Sequence, residues 1–383
     1  MKTIGQNTNT IKSNNIRLLL NCIKHKPQSR AEISKTTGLS KSAVTTIIKQ
    51  LIDEGIVYEV GAETTQMGRH PITLDIVKNY KYAIGILLHR KRVGVCIVNL
   101  KLETVAEDFC NVENFHTPQS ALDWGYDTAL KLMKNSGITP SDCIGISITA
   151  PGPLDYKNGM ILNPPNFPMF WDFNVLEYMQ EKTDYPVYLN NSPVVMALYE
   201  QFRQSEDIGD YIYISVDHGV GSAIVREGSI YRGIAGYSGE IGHTTVDING
   251  EPCSCGNRGC LECYITEKAL INRFGIESYS ATAQKAAEGD EESQRIIDYV
   301  AKLLAGGIIN ALNLMDLKTV IIGGELNSHH ELLFSKIQSL VNERSIISKA
   351  HEVKVFPSLR EKQDISYTAS MAVQKFLDQK SKT

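Results

Sequence analysis

The hydrophobic pattern of this chain changes period near residue 75, and that change limits what it can fold into more than any other feature. Before it, apolar residues recur three and four positions apart. After it, apolar runs of strand length alternate with helical segments. A chain of 383 residues divided in this way holds a small helical unit, predicted over 1–75, in front of a larger layered α/β unit, predicted over 76–383.

In the front unit Ile16, Leu19, Leu20 and Ile23 lie at helical spacing, and Pro27 breaks the chain after them. Ser29-Arg30-Ala31-Glu32 has the form of a capping box for a second, short helix that Gly38 ends. Ser40 can cap a third helix, with Val44, Ile47, Ile48, Leu51 and Ile52 on its inner face and Lys41, Ser42, Thr45, Thr46 and Lys49 outside. Ile56 to Val60 reads as a strand, 61–68 as a polar turn, and Arg69 to Leu74 as a returning strand. Three helices and a hairpin describe a winged helix-turn-helix, whose third helix enters the major groove of DNA. Lys41, Ser42, Thr45, Thr46 and Lys49 are the candidate base or phosphate contacts, and Arg69 and His70 those of the wing. Charge agrees: residues 1–75 carry ten Lys/Arg against six Asp/Glu (+4), whereas the whole chain is at −4. A helical protein-interaction unit with a solvated face is the alternative. The combination of a short capped helix, a glycine turn, a third helix that starts with small polar residues and a basic wing favours DNA.

No run approaches the roughly 20 apolar residues of a membrane span, and the first residues lack the apolar stretch of a signal peptide, so a cytoplasmic protein is expected. Of eight cysteines, Cys22, Cys96, Cys110 and Cys143 are scattered among apolar neighbours and read as core residues. The other four, Cys253, Cys255, Cys260 and Cys263, crowd together shortly after Gly239-Glu240-Ile241-Gly242-His243. His243 with Cys253, Cys255 and Cys260 makes a closed Cys₃His set. It suits structural zinc, a borderline-soft ion that takes thiolate and imidazole in a tetrahedron without an open position. Cys263 could replace one ligand, but it falls in the next helical segment and reads as a packing residue. The metal would staple a loop that presents Glu240 and Glu262, and paired carboxylates beside an imidazole suit the recognition of hydroxyl groups. Capping of surface groups is the plainer alternative.

The strand-like runs of the large unit are Tyr82 to Leu88, Val93 to Asn99, Cys143 to Thr149, Val187 to Leu189, Tyr211 to Val216 and Thr319 to Ile322. Turns with Gly or Pro follow several of them, at Ala150-Pro151-Gly152-Pro153, Asp217 to Gly221 and Gly323-Gly324. Ligands of open α/β sheets sit at such carboxyl ends of strands. No internal repeat of fixed period is evident.

Gly-Glu-Ile-Gly-His followed by Cys-Ser-Cys-Gly-Asn-Arg-Gly-Cys-Leu-Glu resembles the signature of the ROK family of repressors and sugar kinases, and the winged helix in front resembles its repressor branch. Tyr231-Arg232-Gly233, Ser238-Gly239-Glu240 and Glu267-Lys268-Ala269-Leu270 look most like the xylose repressors of Gram-positive bacteria. The resemblance implies an actin-like, ribonuclease-H-like two-lobed fold with a sugar between the lobes. It implies zinc on His243, Cys253, Cys255 and Cys260, and sugar hydroxyls held by Glu240, His243 and Glu262. Asn191 matches a sugar-binding Asn, and Asn166 in Pro165-Asn166-Phe167-Pro168 matches the substrate loop. Homodimers or homotetramers on palindromic operators are implied as well.

The departures from the kinase pattern carry equal weight. The family's kinases have Asp-hydrophobic-Gly-Gly-Thr at the first strand turn, where this chain has Leu87-Leu88-His89-Arg90-Lys91. They also have Glu-Asn-Asp, with the Asp as general base, where this chain has Asn190-Asn191-Ser192. A serine hydroxyl is no base near neutral pH, and loss of a general base forfeits about 10²–10⁴ in rate. The expectation is a sugar-responsive regulator, a repressor of carbohydrate-utilisation genes, that is not an enzyme and takes xylose or a related sugar. A regulator that answers to a sugar phosphate or a transporter protein is the first alternative, and a sugar kinase the second.

Overall fold

A computed structural model describes residues 8–380 except 25, 62, 63, 66, 67, 70, 71, 205–207, 235, 329 and 362. It divides into two compact units, one of residues 1–206 with 364–383 and the other of residues 207–363.

The first unit begins with the winged helix: α1 (Thr8–Ile23), β1 (Gln28–Ser29), α2 (Arg30–Thr37), α3 (Lys41–Asp53), β2 (Val57–Val60), β3 (Thr64–Thr65), β4 (Gly68–Arg69) and β5 (Thr73–Ile76). Local signals fix its helices. Glu32 N donates to Ser29 Oγ, and Glu32 Oε2 accepts from Ser29 N at 2.7 Å, which draws the Glu32 carboxyl below its usual range. Gly38 ends α2 in the left-handed conformation at φ 70°, and Ser40 Oγ accepts from Ala43 N to open α3. Ile16, Leu19, Leu20, Ile33, Val44, Ile48 and Leu51 are buried as the spacing requires. The returning strand differs from expectation. It runs over Thr73–Ile76 with Leu74 and Ile76 inward, and it pairs with both β2 and β1. Thr64-Thr65 and Gly68-Arg69 close a small hairpin of their own.

Next come β6 (Tyr82–Leu88), β7 (Arg92–Asn99), β8 (Thr104–Asn111), α4 (Pro118–Asn135), β9 (Cys143–Ala150), β10 (Leu154–Asp155), β11 (Met160–Ile161), β12 (Phe173–Asn174), α5 (Val175–Gln180), β13 (Val187–Asn191) and α6 (Ser192–Arg203). The main sheet has the order β13-β9-β6-β7-β8. Strands β6, β7 and β8 are antiparallel, and β9 and β13 run parallel to β6.

The second unit contains β14 (Tyr211–Val216), β15 (Val220–Arg226), β16 (Ser229–Tyr231), α7 (Glu262–Ile265), α8 (Glu267–Phe274), α9 (Tyr279–Ala287), α10 (Glu291–Met315), β17 (Thr319–Gly324), α11 (His330–Arg344) and β18 (Lys354–Pro357). Its sheet, β16-β15-β14-β17-β18, repeats the order and strand directions of the first, so one topology is built twice. Helix α10 is the one described helix long and apolar enough to span a bilayer. Half of that stretch is buried, and Ile296, Ile297, Val300, Leu304, Ile308 and Leu312 make it the core helix of this unit.

After Gln363 the chain returns to the first unit and ends on α12 (Ser370–Lys380). Here the winged helix is joined to the sheet beside it. Lys24, just past the end of α1, is buried; its Nζ donates to Gln374 Oε1 of α12 at 3.2 Å and lies 4.5 Å from the ring centre of Phe202 on α6. Lys101, in the turn between β7 and β8, donates to the carbonyls of Ile23 and Lys24 and pairs with Asp75. A lysine from elsewhere in the fold thus caps the carbonyl end of α1.

Burial pushes the Lys24 ammonium down from 10.5 to about 8, with Asp378 and Cys22 acting the other way. The folded chain loses this proton near pH 8 while the unfolded chain keeps it to 10.5, so across that window stability rises with pH. Lys24→Met has no such proton. Urea unfolding from pH 8 to 10.5 is expected to show the wild type gaining on the variant by on the order of 3 kcal/mol. A difference that does not vary with pH contradicts the burial of a charge at this joint.

Candidate functional site

The Gly239 to His243 segment is shaped by close approach. A Cβ on Gly239 would lie 2.2 Å from the carbonyl oxygen of Ser222, and one on Gly242 would lie 2.1 Å from that of Val220. Only glycine lets this turn press on β15, where Ser222 N and Oγ both donate to Gly239 O. Ile241 is driven into the core, and Glu240 and His243 are left flanking it.

The thiols come from a knuckle closed by Cys253 N donating to Asn257 O and Gly256 N to Cys253 O. Four donor atoms, from His243, Cys253, Cys255 and Cys260, lie within 4.8 Å of one another. Cys253 Sγ is 3.7 Å from His243 Nδ1, and Cys255 Sγ is 3.7 Å from Cys260 Sγ. Bonds of about 2.3 Å to sulfur and 2.0–2.1 Å to nitrogen at tetrahedral angles demand separations of roughly 3.8 and 3.6 Å. The set therefore fits a metal ion. Its electrostatics point the same way. Burial, with the neighbouring thiols, pushes Cys260 up to about 12, whereas Cys253 overcomes its desolvation through the Cys255 N–H and nearby donors and falls to about 7. Three thiolates can share this space once a cation offsets their charge. Cys263 adjoins Cys253 but stands outside the tetrad, its thiol pushed by burial up to about 12. Asn257, to which the sequence reading gave no role, ties the knuckle to the backbone of His243: its Nδ2 donates to His243 O and Thr245 Oγ1.

Glu262 begins α7, and its Oε2 accepts from Val220 N at 2.8 Å, packed so close that a Cβ on Gly219 would lie 2.7 Å away. One carboxylate oxygen is thereby committed to the backbone and fixes where the other points. Glu240 keeps an open edge, yet desolvation raises its carboxyl above the usual range; His243 opposes this shift and Glu262 adds to it. The second unit thus brings Glu240, His243 and Glu262 to one place.

Asn191 and Asn166 belong to the first unit. Asn191 ends β13 and precedes α6, and its Oδ1 is buried with no hydrogen-bond partner. An orphaned buried acceptor costs about 1–3 kcal/mol and suits a hydroxyl donor. Ser192 opens α6, followed by Pro193. Asn166 is exposed and left-handed at φ 56°, a conformation that Asn adopts more readily than most L-residues. It is held by its neighbours: Trp171 Nε1 donates to Pro164 O at 2.9 Å, Arg90 Nε donates to Pro165 O at 3.0 Å, and Phe167 is buried against Phe170. The two clamping side chains escaped the sequence reading. Arg90 is 75 positions from its acceptor, and no local pattern marks the pair.

On α3, Lys41, Ser42, Thr45, Thr46 and Lys49 are all exposed on one side, opposite buried Val44, Ile47, Ile48 and Leu51. Thr45 Oγ1 donates to Lys41 O and Thr46 Oγ1 to Ser42 O, which fixes both hydroxyls and leaves their lone pairs outward. Arg69 ends β4, and His70 lies outside the described residues.

Comparison with known proteins follows the division of the chain. Residues 10–65 match the MarR family, and residues 83–371 match the ROK family. A relative named xylose repressor, from Caldicellulosiruptor bescii, is 30% identical over 371 residues, which cover 92% of this chain and 93% of that protein. A solved structure described as a ROK family transcriptional regulator, homolog of the Escherichia coli MLC protein, superposes with a TM-score of 0.76 at 24% identity, covering 96% of this chain and 97% of that one. A ROK hexokinase from Thermus thermophilus superposes with a TM-score of 0.65 at 21% identity, covering 78% of this chain and 99% of the hexokinase. The family match spans well over half of the 383 residues, from β6 into α12, and this chain belongs to the ROK family.

Proposed function

We propose that this protein is a sugar-responsive transcriptional repressor of carbohydrate-utilisation genes, with residues 1–75 as its DNA-reading head and 76–383 as its sugar-binding domain. The head reads operator DNA through Lys41, Ser42, Thr45, Thr46 and Lys49, with Arg69 and His70 on the wing. The candidate contacts for a monosaccharide, xylose or a related sugar, are Asn166 and Asn191 in the first unit and, separately, Glu240, His243 and Glu262 in the second. Relatives named as xylose repressors support this reading. The protein acts in the cytoplasm as a homodimer or homotetramer, whose paired heads meet half-sites spaced by whole helical turns.

The observation that carries the reading is helix α6. It follows directly on Asn191 with its unpartnered Oδ1 and carries, one residue before its end, Phe202, whose ring receives the ammonium of Lys24 at the foot of the head. Twelve helical residues rise roughly 18 Å as one rigid piece. A sugar that pulls on Asn191 therefore acts on the element that seats α1. Phosphoryl transfer has no support from this chain's own residues. Ser192 holds the position where the resemblance to the kinases requires a carboxylate base, and the turn after β6 carries His89-Arg90-Lys91 in place of a glycine loop.

The metal is zinc in a structural role, since four protein donors leave no position for a reacting water. When bound, it offsets the thiolate charge and fastens the knuckle to the Gly239 to His243 turn. Metal analysis is expected to find one zinc per chain, lost with a fall in melting temperature in Cys260→Ser and kept in Cys263→Ser. Retention of zinc by Cys260→Ser would exclude this ligand set.

The functional test uses an operator fragment selected from random DNA, in gel shifts over a salt series. Lys41→Ala and Arg69→Ala are each expected to weaken binding and to lower the salt slope by about 1 for each phosphate contact removed. Xylose is expected to weaken operator binding by about 5–150-fold, the usual range of coupling between two sites. A response to glucose, to N-acetylglucosamine 6-phosphate or to a transporter component, with none to xylose, reassigns the effector. Indifference to all of them defeats the reading. In Phe202→Ala, sugar affinity measured by calorimetry is expected to stay within about twofold while most of the effect on DNA disappears. An undiminished response there contradicts the role given to α6.

A further inference from the structure

The turn between β6 and β7 lies beside the loop that carries Asn166, and one side chain joins the two. Arg90 is half-buried, and its Nε donates to Pro165 O at 3.0 Å. The turn itself is closed, with His89 N donating to Arg92 O at 3.0 Å and Lys91 N to His89 Nδ1 at 3.3 Å, so the arginine projects from a fixed base. From the other end of the loop, Trp171 Nε1 donates to Pro164 O at 2.9 Å. Successive carbonyls, those of Pro164 and Pro165, are therefore each held by a side-chain N–H, and the next residue is Asn166 in its left-handed conformation. Phe167 beyond it is stacked on Phe170, with centroids 4.7 Å apart and planes 6° from parallel. Asn166 is thus an exposed amide on a backbone fixed before and after it.

A non-glycine residue in the left-handed region is held there by its surroundings, and such residues gather at ligand clamps. A guanidinium suits the clamp because it is charged at every physiological pH, so its hydrogen bond to a carbonyl is charge-assisted and does not switch off. We infer that Arg90 is a positioning residue for the sugar. It does not touch the ligand; it holds Pro165 O and so sets the direction in which Asn166 presents its amide. Trp171 performs the same service at Pro164 O. This assignment rests on the reading of Asn166 as a sugar contact.

The test is a mutant cycle read by calorimetry with D-xylose, D-glucose and N-acetyl-D-glucosamine, using the full chain. For the sugar that the wild type binds best, Arg90→Ala is expected to weaken affinity about tenfold, as when the released loop holds Asn166 in the binding conformation only about a tenth of the time. Arg90→Lys, which can still donate to Pro165 O, is expected to restore most of the loss. In an Asn166→Ala background, Arg90→Ala is expected to change affinity by less than about twofold, because the residue it positions is gone. Losses that add in the double variant, or an unchanged affinity in Arg90→Ala alone, overturn the assignment and leave the sugar reading intact. A second readout needs no ligand. Trp171 is one of two tryptophans, and in a Trp124→Phe background its emission is expected to shift with Arg90→Ala and to recover with Arg90→Lys. A spectrum indifferent to Arg90 also overturns the assignment. Absence of binding to every sugar by the wild type fails the sugar reading itself, and this inference with it, on the wild-type measurement alone.

Discussion

A helix that ends inside a protein must find donors for its last carbonyls, and that requirement decides where the head of this molecule sits. Helix α1 ends against the first sheet and not in water, and Lys101 supplies the missing donors to Ile23 O and Lys24 O while Asp75 offsets its charge. Lys24 adds the opposite constraint: a buried ammonium needs an acceptor and a ring face, and it finds them on α12 and α6. Neither lysine keeps these partners if the head leaves its seat. The winged helix is therefore part of the first compact unit, fastened to α6 inside the ROK match and to α12, where that match stops.

From that seat the rest of the first unit acquires its order. Helix α6 starts where β13 ends and stops under the head, so one element touches both the orphaned amide of Asn191 and the ammonium of Lys24. The second unit repeats the strand order of the first around a different purpose. There the Gly239 to His243 turn after β16 and the cysteine knuckle gather Glu240, His243 and Glu262, and glycine at 239 and 242 permits the contact with β15. Each unit carries residues that we propose as sugar contacts, and the head belongs to the first.

Features whose partners lie close in sequence were legible from the residues. The capping box at Ser29 and Glu32, the stop at Gly38, the cap at Ser40 and the exposed face of α3 follow from spacing within a single turn. The metal tetrad was legible because its three thiols fall within eight residues and its histidine ends a glycine-framed turn. Strand β8 went unread because most of its residues face solvent at a sheet edge, leaving little apolar alternation. The wing strand was placed too early, since the inward pair that sets its register is Leu74 and Ile76. Burial of Lys24 had no signal at all: its acceptor, Gln374, is 350 positions away, and a lysine after a helix reads as solvated. The clamp of Arg90 on Pro165 was hidden for the same reason, as was the repeated sheet topology, which rests on pairing between distant strands.

The central claim is that sugar contact at the start of α6 is felt by α1. Hydrogen exchange of the full chain with and without xylose measures this most directly. The proposed route requires altered protection along Ser192–Arg203 and also at the carbonyl end of α1, around Leu20 to Ile23, at sugar concentrations that saturate binding. Saturating xylose that changes protection only within residues 207–363, with α6 and α1 untouched, would contradict it.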